Sequence, residues 1–333
     1  MIATIPQKVF LAAYDNAEAE KVANNLLRVF EHSDRRHTLV DSPESADLIL
    51  VGGIGNEMSQ WDYLHQTMHN PLIGRFPEKA FTLSYRDTPV LFNRGVYESA
   101  PSHGWNRGRC VTGSYELSGH FNSAVQDTAK SSKDLLFSFI GRTSHPVRRR
   151  MLALQFRRHD IVLEDTSSFN YWDCPANERD ERESLFARVL ARSKFCLCPR
   201  GVGAGSIRLF EAMRAGVAPV ILADDWIPPM GLPWEEFSIR VREDQVHRLE
   251  EIVSAREEDY AGMGALARKY WEACFAENTY FDYVVSRCTL MRQQQKTPEA
   301  FYWAMRYPYM TGYYAFKAAD KLKPKISSVL RRA

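Results

Sequence analysis

The residues best suited to chemistry lie in one stretch, which reads SKFCLCPRGVGAGSIRLFEAMRAGVAPVILADD from Ser193 to Asp225. The pattern predicts an apolar strand that stops at Pro199, then a glycine-rich loop, then a helix that begins near Ser206. Glycines let a backbone approach a ligand closely, and the free N–H groups at the start of a helix attract anions. The stretch therefore predicts a site for a phosphate-bearing ligand.

Charged side chains frame the loop. Arg200 precedes it and Arg208 follows it, so both can donate paired hydrogen bonds to phosphate oxygens. Glu211 lies one turn beyond Arg208, where a carboxylate can accept hydrogen bonds from both hydroxyls of a ribose. A nucleoside diphosphate would satisfy these groups. An ordinary ion pair between Arg208 and Glu211, with Ser206 as a simple N-cap, is the alternative interpretation and stays open.

Two well-known phosphate loops are absent from this sequence. The P-loop pattern requires a lysine that the stretch lacks, and the GxGxxG pattern fails because Gly205 follows Gly203 too soon. Kinases, GTPases and dehydrogenases therefore lose most of their support.

The surrounding sequence predicts the elements that hold the loop. Short apolar runs alternate with amphipathic stretches, which indicates α/β structure with parallel sheets. In the first part we expect strands at 8–13, 47–51, 80–84 and 90–92, a helix at 17–30, and loops over a cleft from 95 to 122. The alternation restarts with strands at 135–140, 161–163, 194–198, 217–222 and 237–241. Two such units predict two facing Rossmann-like domains with a crevice between them.

We predict three parts: residues 1–130 as the acceptor-side domain, 131–292 as the donor-binding domain, and 293–333 as helices that return to the first domain. The last part is rich in aromatic residues and ends in a basic tail. The basic residues of this tail are Lys317, Lys321, Lys323, Lys325, Arg331 and Arg332.

Composition limits the possible partners. The 43 Lys and Arg against 41 Asp and Glu give a formal charge of +2, which favours no nucleic-acid partner. The apolar run at 9–13 is too short for a signal segment or a membrane span, so we expect a cytoplasmic protein. The six cysteines show no zinc-like pair, and we expect Cys196 and Cys198 to be buried thiols. No metal site is predicted.

The stretch from Ser193, extended through WIPPMGLPWEEFSIRV, resembles the exostosin-type glycosyltransferases, family 47 of the sugar transferases. The upstream run LLFSFIGRTSHPVRRRML resembles the opening strand and Gly-Arg turn of the same family, so the likeness covers Leu135 to Val253. It implies a GT-B architecture, inverting transfer from a nucleotide sugar that is usually UDP-linked, and no required metal or other cofactor. It also implies a set of donor-binding residues: Gly141, Arg142, Arg200, Gly201, Gly205, Ser206, Arg208 and Glu211.

Two departures bear on what the resemblance implies. Met230 stands where an aromatic residue is common, which leaves the sugar open. The sequence shows no N-terminal anchor like that of the animal members, so the likeness implies a cytoplasmic enzyme that builds a cell-surface polysaccharide. The aromatic and basic C-terminal tail offers a peripheral contact with anionic lipid at the inner membrane face.

An inverting transfer also needs a base that accepts the proton of the acceptor hydroxyl. The candidates in loops of the first domain are Glu57, Asp87, Glu98 and His103, and Asp87 and Glu98 rank first. Two other functions stay open. One is a nucleotide- or sugar-binding protein without turnover, and the other is a fucosyltransferase-like enzyme with a guanosine donor.

Overall fold

The computed structural model describes residues 5–14, 19–56, 58–104, 106, 108–128, 131–316 and 318. Within these residues the chain forms a six-stranded sheet followed by a five-stranded sheet. Every strand pair in both sheets is parallel. The predicted α/β class with two Rossmann-like units of the GT-B type is confirmed.

The first sheet has the order β2-β1-β3-β4-β5-β6. Its strands are β1 (Lys8–Ala13), β2 (Thr38–Leu39), β3 (Leu48–Ile54), β4 (Ala80–Ser84), β5 (Gly95–Tyr97) and β6 (Cys110–Thr112). Its helices are α1 (Ala19–Glu31), α2 (Gln60–His69) and α3 (Pro71–Arg75).

The second sheet has the order β11-β10-β9-β7-β8. Its strands are β7 (Leu135–Gly141), β8 (Ile161–Asp165), β9 (Ser193–Pro199), β10 (Ala218–Leu222) and β11 (Ile239–Arg240). The helices are α4 (Pro146–Leu152), α5 (Ala176–Arg192), α6 (Ile207–Ala215), α7 (Trp234–Phe237), α8 (Leu249–Ser254), α9 (Tyr260–Cys274), α10 (Glu277–Gln294) and α11 (Glu299–Ala304), followed by a helical stretch at 306–316.

Both sheets place their strands in the same doubly wound order. In each sheet, the first strand in the chain lies between the second and the third. The direction in which successive strands are added across the sheet therefore reverses at the first strand. Ligands of open α/β sheets bind at the carboxyl ends of the strands beside such a reversal. In the second sheet the reversal lies between β7 and β9.

The first sheet differs from the sequence prediction at its edge. Residues 90–92 form no strand, and β5 and β6 lie in the region that was expected to be loops. Val90 is buried, but its backbone pairs with a side chain instead of a neighbouring strand. The Val90 N–H donates to the Tyr63 hydroxyl, and the Val90 carbonyl accepts from it. Strand β5 runs so close to β4 that a Cβ on Gly95 would overlap the Thr82 carbonyl. The apolar run at 90–92 therefore wrongly indicated a strand, and Gly95 wrongly indicated a loop.

The C-terminal helices pack on the first sheet. Helix α10 contacts α1, β3 and β5, and its Tyr280 and Phe281 are buried in the core that joins both halves. Trp303 and Tyr309 pack against the apolar cluster around Phe92. The predicted domain bounds stay predictions. Glu57, Lys317 and the tail from 319 onward lie outside the described residues.

Two smaller expectations concern cysteines and membrane spans. Cys196 and Cys198 are free and buried, as the sequence predicts. No helix in the described part of the chain is long and apolar enough to cross a bilayer.

Candidate active site

The candidate site lies where β7 and β9 end side by side. Gly141 closes β7, Pro199 closes β9, and Arg200 follows directly with its backbone N–H on the Leu222 carbonyl at 3.0 Å. The glycine loop then occupies residues 201–205. The structure therefore brings the predicted Gly-Arg turn and the predicted glycine loop to one edge of one sheet.

Helix α6 begins beside this loop. Ser206 is its N-cap, yet the Ser206 side chain makes no capping hydrogen bond. Its hydroxyl is buried and has no hydrogen-bond partner within the part of the chain that the structure describes. The helix ends at Gly216 with φ 69°, a left-handed conformation that favours glycine. The first N–H groups of α6 and the Ser206 hydroxyl are thus the polar groups that the loop presents.

The glycines of the loop are required by close packing. A Cβ on Gly203 would lie 2.8 Å from the Asp87 carbonyl oxygen, and one on Gly205 would lie 2.8 Å from the Tyr115 hydroxyl. The Gly205 N–H donates to the Ser99 hydroxyl at 3.0 Å. Because the partners belong to the loops that follow β4, β5 and β6, the glycine loop closes directly against the first sheet.

The two predicted arginines differ in their partners. Arg200 has a loose ion pair with Asp225 at 3.8 Å, and its Nε is buried without a partner. Arg208 donates to the Glu211 carboxylate at 2.5 Å and lies over the Phe186 ring at 4.0 Å. Burial acts to lower the pKa of Arg208, but Glu211 more than offsets this and leaves the pKa raised.

Glu211 is held from two sides. Its side chain is 1% exposed, with one oxygen on Arg208 and the other accepting the Asn122 N–H at 3.1 Å. The alternative interpretation, an i,i+3 ion pair, is therefore present in the structure. Each carboxylate oxygen keeps a further lone pair, so the ribose contact stays a prediction.

The turn after β7 holds Gly141 and Arg142 in different environments. A Cβ on Gly141 would lie 2.8 Å from the Phe139 ring, which explains a glycine at the end of β7. Arg142 is exposed, and its carbonyl accepts from Arg148 at 3.2 Å. The structure thus shows a packing role for Gly141, while donor contacts by either residue stay predictions.

Arg148 is a residue that the sequence reasoning missed. Besides the Arg142 carbonyl, its guanidinium donates to the carbonyls of Arg200 at 2.9 Å and Pro199 at 3.0 Å. Burial and the nearby Arg208 lower the pKa of Arg148 to about 10, so the group stays charged at neutral pH. Arg148 clamps the ends of β7 and β9 together. The run of three arginines at the start of α4 was the available signal.

The two leading base candidates both lie at the facing edge of the first sheet. Asp87 is half-buried, and its side chain accepts from Asn56 at 3.1 Å while its backbone N–H donates back at 2.9 Å. Its Oδ1 lies 3.0 Å from the position of a Cβ on Gly203. Asp87 is therefore oriented beside the glycine loop.

Glu98 is different because it is only 3% exposed. One carboxyl oxygen accepts the Ser118 N–H at 3.1 Å, and the other is buried without a partner. Burial raises the pKa of Glu98 well above its usual range, and the charges of Asp87 and Glu116 act in the same direction. Burial thus favours the protonated form of Glu98.

The third described candidate is His103. Its ring stacks on Phe316 with a centroid distance of 3.9 Å and an interplanar angle of 8°. The preceding Ser102 donates its backbone N–H to the Asp225 side chain at 3.1 Å, and Pro101 pairs with Trp226 in an antiparallel bridge. These contacts tie the two sheet edges together at one end of the crevice.

Comparison with known proteins finds a family that part of the chain is similar to. Residues 114–255 match the model of the Exostosin GT47 domain. This stretch is therefore similar to the exostosin-type glycosyltransferases.

The exostosin domain also appears in individual relatives. The chain is 29% identical over 152 residues to the exostosin-1 homolog of Caenorhabditis elegans, covering 42% of this chain and 40% of that protein. It is 32% identical over 139 residues to exostosin-2 of Bos taurus, covering 39% and 19%. It is 40% identical over 77 residues to a probable glucuronosyltransferase of Oryza sativa subsp. japonica, covering 22% and 18%. The chain thus spans less than half the length of these relatives.

The exostosin domain begins earlier than the sequence resemblance indicated. Its first residues, from Ser114, contribute Ser118 to Glu98 and Asn122 to Glu211. This segment therefore holds a carboxylate at each side of the crevice. Within the described residues no three or more His, Cys, Asp or Glu side chains are grouped to hold a metal ion.

Proposed function

We propose that this chain transfers a sugar from a UDP-linked donor to a glycan acceptor, with inversion, in the synthesis of a cell-surface polysaccharide. The observation that carries the proposal is the crevice at the β7–β9 reversal. There the Arg200 Nε and the Ser206 hydroxyl have no hydrogen-bond partner among the described residues, and Asp87 lies beside Gly203 of the glycine loop. A diphosphate supplies acceptors for both groups.

Stabilisation of the leaving diphosphate falls to fixed positive charge. Arg200, Arg208 and the N–H groups at the start of α6 place donors where negative charge grows in the transition state. Because these groups can carry that charge alone, we propose that the transfer requires no metal. Glu211 would accept the ribose hydroxyls with its remaining lone pairs.

Asp87 is the base that we propose. A general base must be ionised and within reach of the acceptor hydroxyl. Asp87 is half-buried beside Gly203 and oriented by Asn56, whereas burial raises the pKa of Glu98 well above its usual range. The His103 ring is stacked on Phe316. Among the described candidates, Asp87 is therefore the base that we favour.

The C-terminal segment suggests where the enzyme works. Its exposed apolar side chains are Phe301, Met305, Tyr307, Tyr314 and Phe316. In sequence they are followed by the basic tail. Aromatic residues beside Lys and Arg favour a peripheral contact with anionic lipid. We propose a cytoplasmic enzyme at the inner membrane face, and cosedimentation with phosphatidylserine vesicles, compared with neutral vesicles, tests it.

Thermal melts and turnover test the donor assignment. We expect UDP to raise the melting temperature with or without chelator, since a ligand at a hundredfold its Kd adds about 2.7 kcal/mol of stability. Wild-type protein should then release UDP from a UDP-sugar, and UDP-glucuronic acid belongs in the panel because of the rice relative. A shift with GDP alone would indicate a guanosine donor. A UDP shift without UDP release would indicate a binding protein. A shift lost in chelator would contradict the metal-free proposal.

A further inference from the structure

The turn between β7 and α4 carries a titratable side chain that the proposed chemistry does not yet use. His145 is the residue before α4, in an extended conformation with φ −142° and ψ 150°. Its Nδ1 accepts a hydrogen bond from the Val147 N–H at 3.3 Å. A neutral imidazole carries one proton, so this bond places the proton on Nε2. His145 is therefore a hydrogen-bond donor through Nε2.

The charges that act on His145 are all positive. Burial, Arg200 at the end of β9, and Arg148 and Arg150 on α4 lower the pKa of His145 to about 4. The ring is thus neutral near pH 7. A neutral donor can stand among several arginines without the repulsion that a further cation would add.

The turn that bears His145 faces the glycine loop. Ser144 Oγ lies 3.7 Å, and Arg148 Nη2 3.3 Å, from the position of a Cβ on Gly201. Arg148 also bonds the carbonyls of Arg142 and Arg200, one on each side of the reversal. His145 is therefore held at the same edge as Arg200 by contacts that do not depend on its own ring.

We propose that the Nε2–H of His145 donates a hydrogen bond to a phosphate oxygen of the nucleotide-sugar donor, beside Arg200. This inference rests on the proposed function. It adds a hydrogen-bond donor that orients the phosphate without adding positive charge. Because Nδ1 accepts the Val147 N–H, the ring cannot take up a second proton without losing that bond, so it should stay neutral when the donor binds.

Two substitutions separate the two nitrogens of the ring. Asparagine keeps an acceptor at the Nδ1 position for Val147 but has no donor at the Nε2 position, whereas glutamine reaches the Nε2 position and gives up the cap. We expect His145→Asn to bind UDP about tenfold more weakly or worse at pH 7.5, with a wild-type melting temperature. His145→Gln should bind better than His145→Asn and melt lower.

Calorimetry with UDP is the measurement, and His159→Asn is the matched control. His159 is exposed and precedes β8, so it lies at the amino end of that strand, whereas the candidate site lies at the carboxyl ends. The control should bind like wild type. The affinity ratio of wild type to His145→Asn should hold between about pH 6 and pH 8 because the ring stays neutral there, and a loss of affinity at an unchanged melting temperature is what a purely structural role would not produce.

The outcomes distinguish this inference from the proposed function. Wild-type affinity in His145→Asn at every pH would overturn the hydrogen bond while leaving UDP transfer intact. Equal losses of affinity and melting temperature in both variants would show that His145 acts only as a cap. A wild-type protein that binds neither UDP nor GDP would overturn the proposed function, and this inference with it.

Discussion

The two edges of the crevice hold their charges in opposite ways. At the edge of the second sheet, Arg148 is bonded to main-chain carbonyls, and Arg200 has only a distant carboxylate. At the facing edge of the first sheet, Glu98 accepts a main-chain N–H and Asp87 is bonded to an amide side chain. Arg200 is thus the cation that this edge leaves for an anionic ligand, while Asp87 and Glu98 are each positioned by a hydrogen bond from another loop. This difference suits one edge to a leaving diphosphate and the other to a proton.

The largest expected effect tests the carboxylate edge. Asp87→Asn keeps the shape and the contact with Asn56 but removes the base, so we expect turnover to fall by a factor of about 10² to 10⁴. UDP binding should stay near the wild-type value. UDP release from a UDP-sugar in the presence of acceptor is the measurement, with the exposed Asp41→Asn as control. Full turnover in Asp87→Asn would show that another residue is the base.

The next effect concerns stability at the cation edge. Arg208→Ala leaves the buried Glu211 carboxylate without its cation, which should lower the free energy of unfolding by about 3–5 kcal/mol. Urea melts measure it, with the exposed Arg149→Ala as control.

A second variant makes the cause specific. Arg208→Met combined with Glu211→Gln removes the buried charge and keeps an acceptor for the Asn122 N–H, so it should regain most of the loss. A single variant as stable as wild type would show that Arg208 is a free donor-site cation.

The sequence predicted the edge of the second sheet better than the facing edge of the first sheet. The loop and α6 are local, so glycines, a helix start and two arginines in one stretch were enough to predict their arrangement. The role of Arg148 depends on carbonyls some fifty residues away, and the pairing of Glu211 with Asn122 crosses 89 residues. Such contacts follow from sheet order, which spacing along one chain does not specify. The short strands β5 and β6 were missed for the same reason.

A smaller effect separates Arg200 from Arg208. The ion pair of Arg200 with Asp225 is loose, at 3.8 Å, so Arg200→Ala should change the free energy of unfolding by no more than about 1 kcal/mol. Turnover should fall by a factor of about 10² to 10³, because the donor acts on charge that develops in the transition state.

The lysine variant refines this result. Arg200→Lys keeps the charge and loses the planar fork, so it should bind donor only modestly worse but lose more in turnover. The kinetic constants for UDP-sugar and the melting temperatures of both variants check it. Unchanged turnover in a folded Arg200→Ala would remove Arg200 from the donor site.

The smallest expected effect tests whether Glu98 is neutral in the folded protein. Burial raises the pKa of Glu98 above that of the unfolded chain, so its contribution to stability is complete below the unfolded pKa and is lost as pH rises through the folded pKa. Glu98→Gln cannot titrate and keeps an acceptor for Ser118. Its melting temperature should therefore rise relative to wild type as pH increases from about 4, by about 2 °C or more, where 1 kcal/mol corresponds to roughly 2–4 °C. Thermal melts from pH 4 to pH 8 measure this, and the exposed Glu258→Gln should show no such trend. A Glu98→Gln variant that instead loses stability with rising pH, and loses turnover like Asp87→Asn, would show that Glu98 is ionised and is the base.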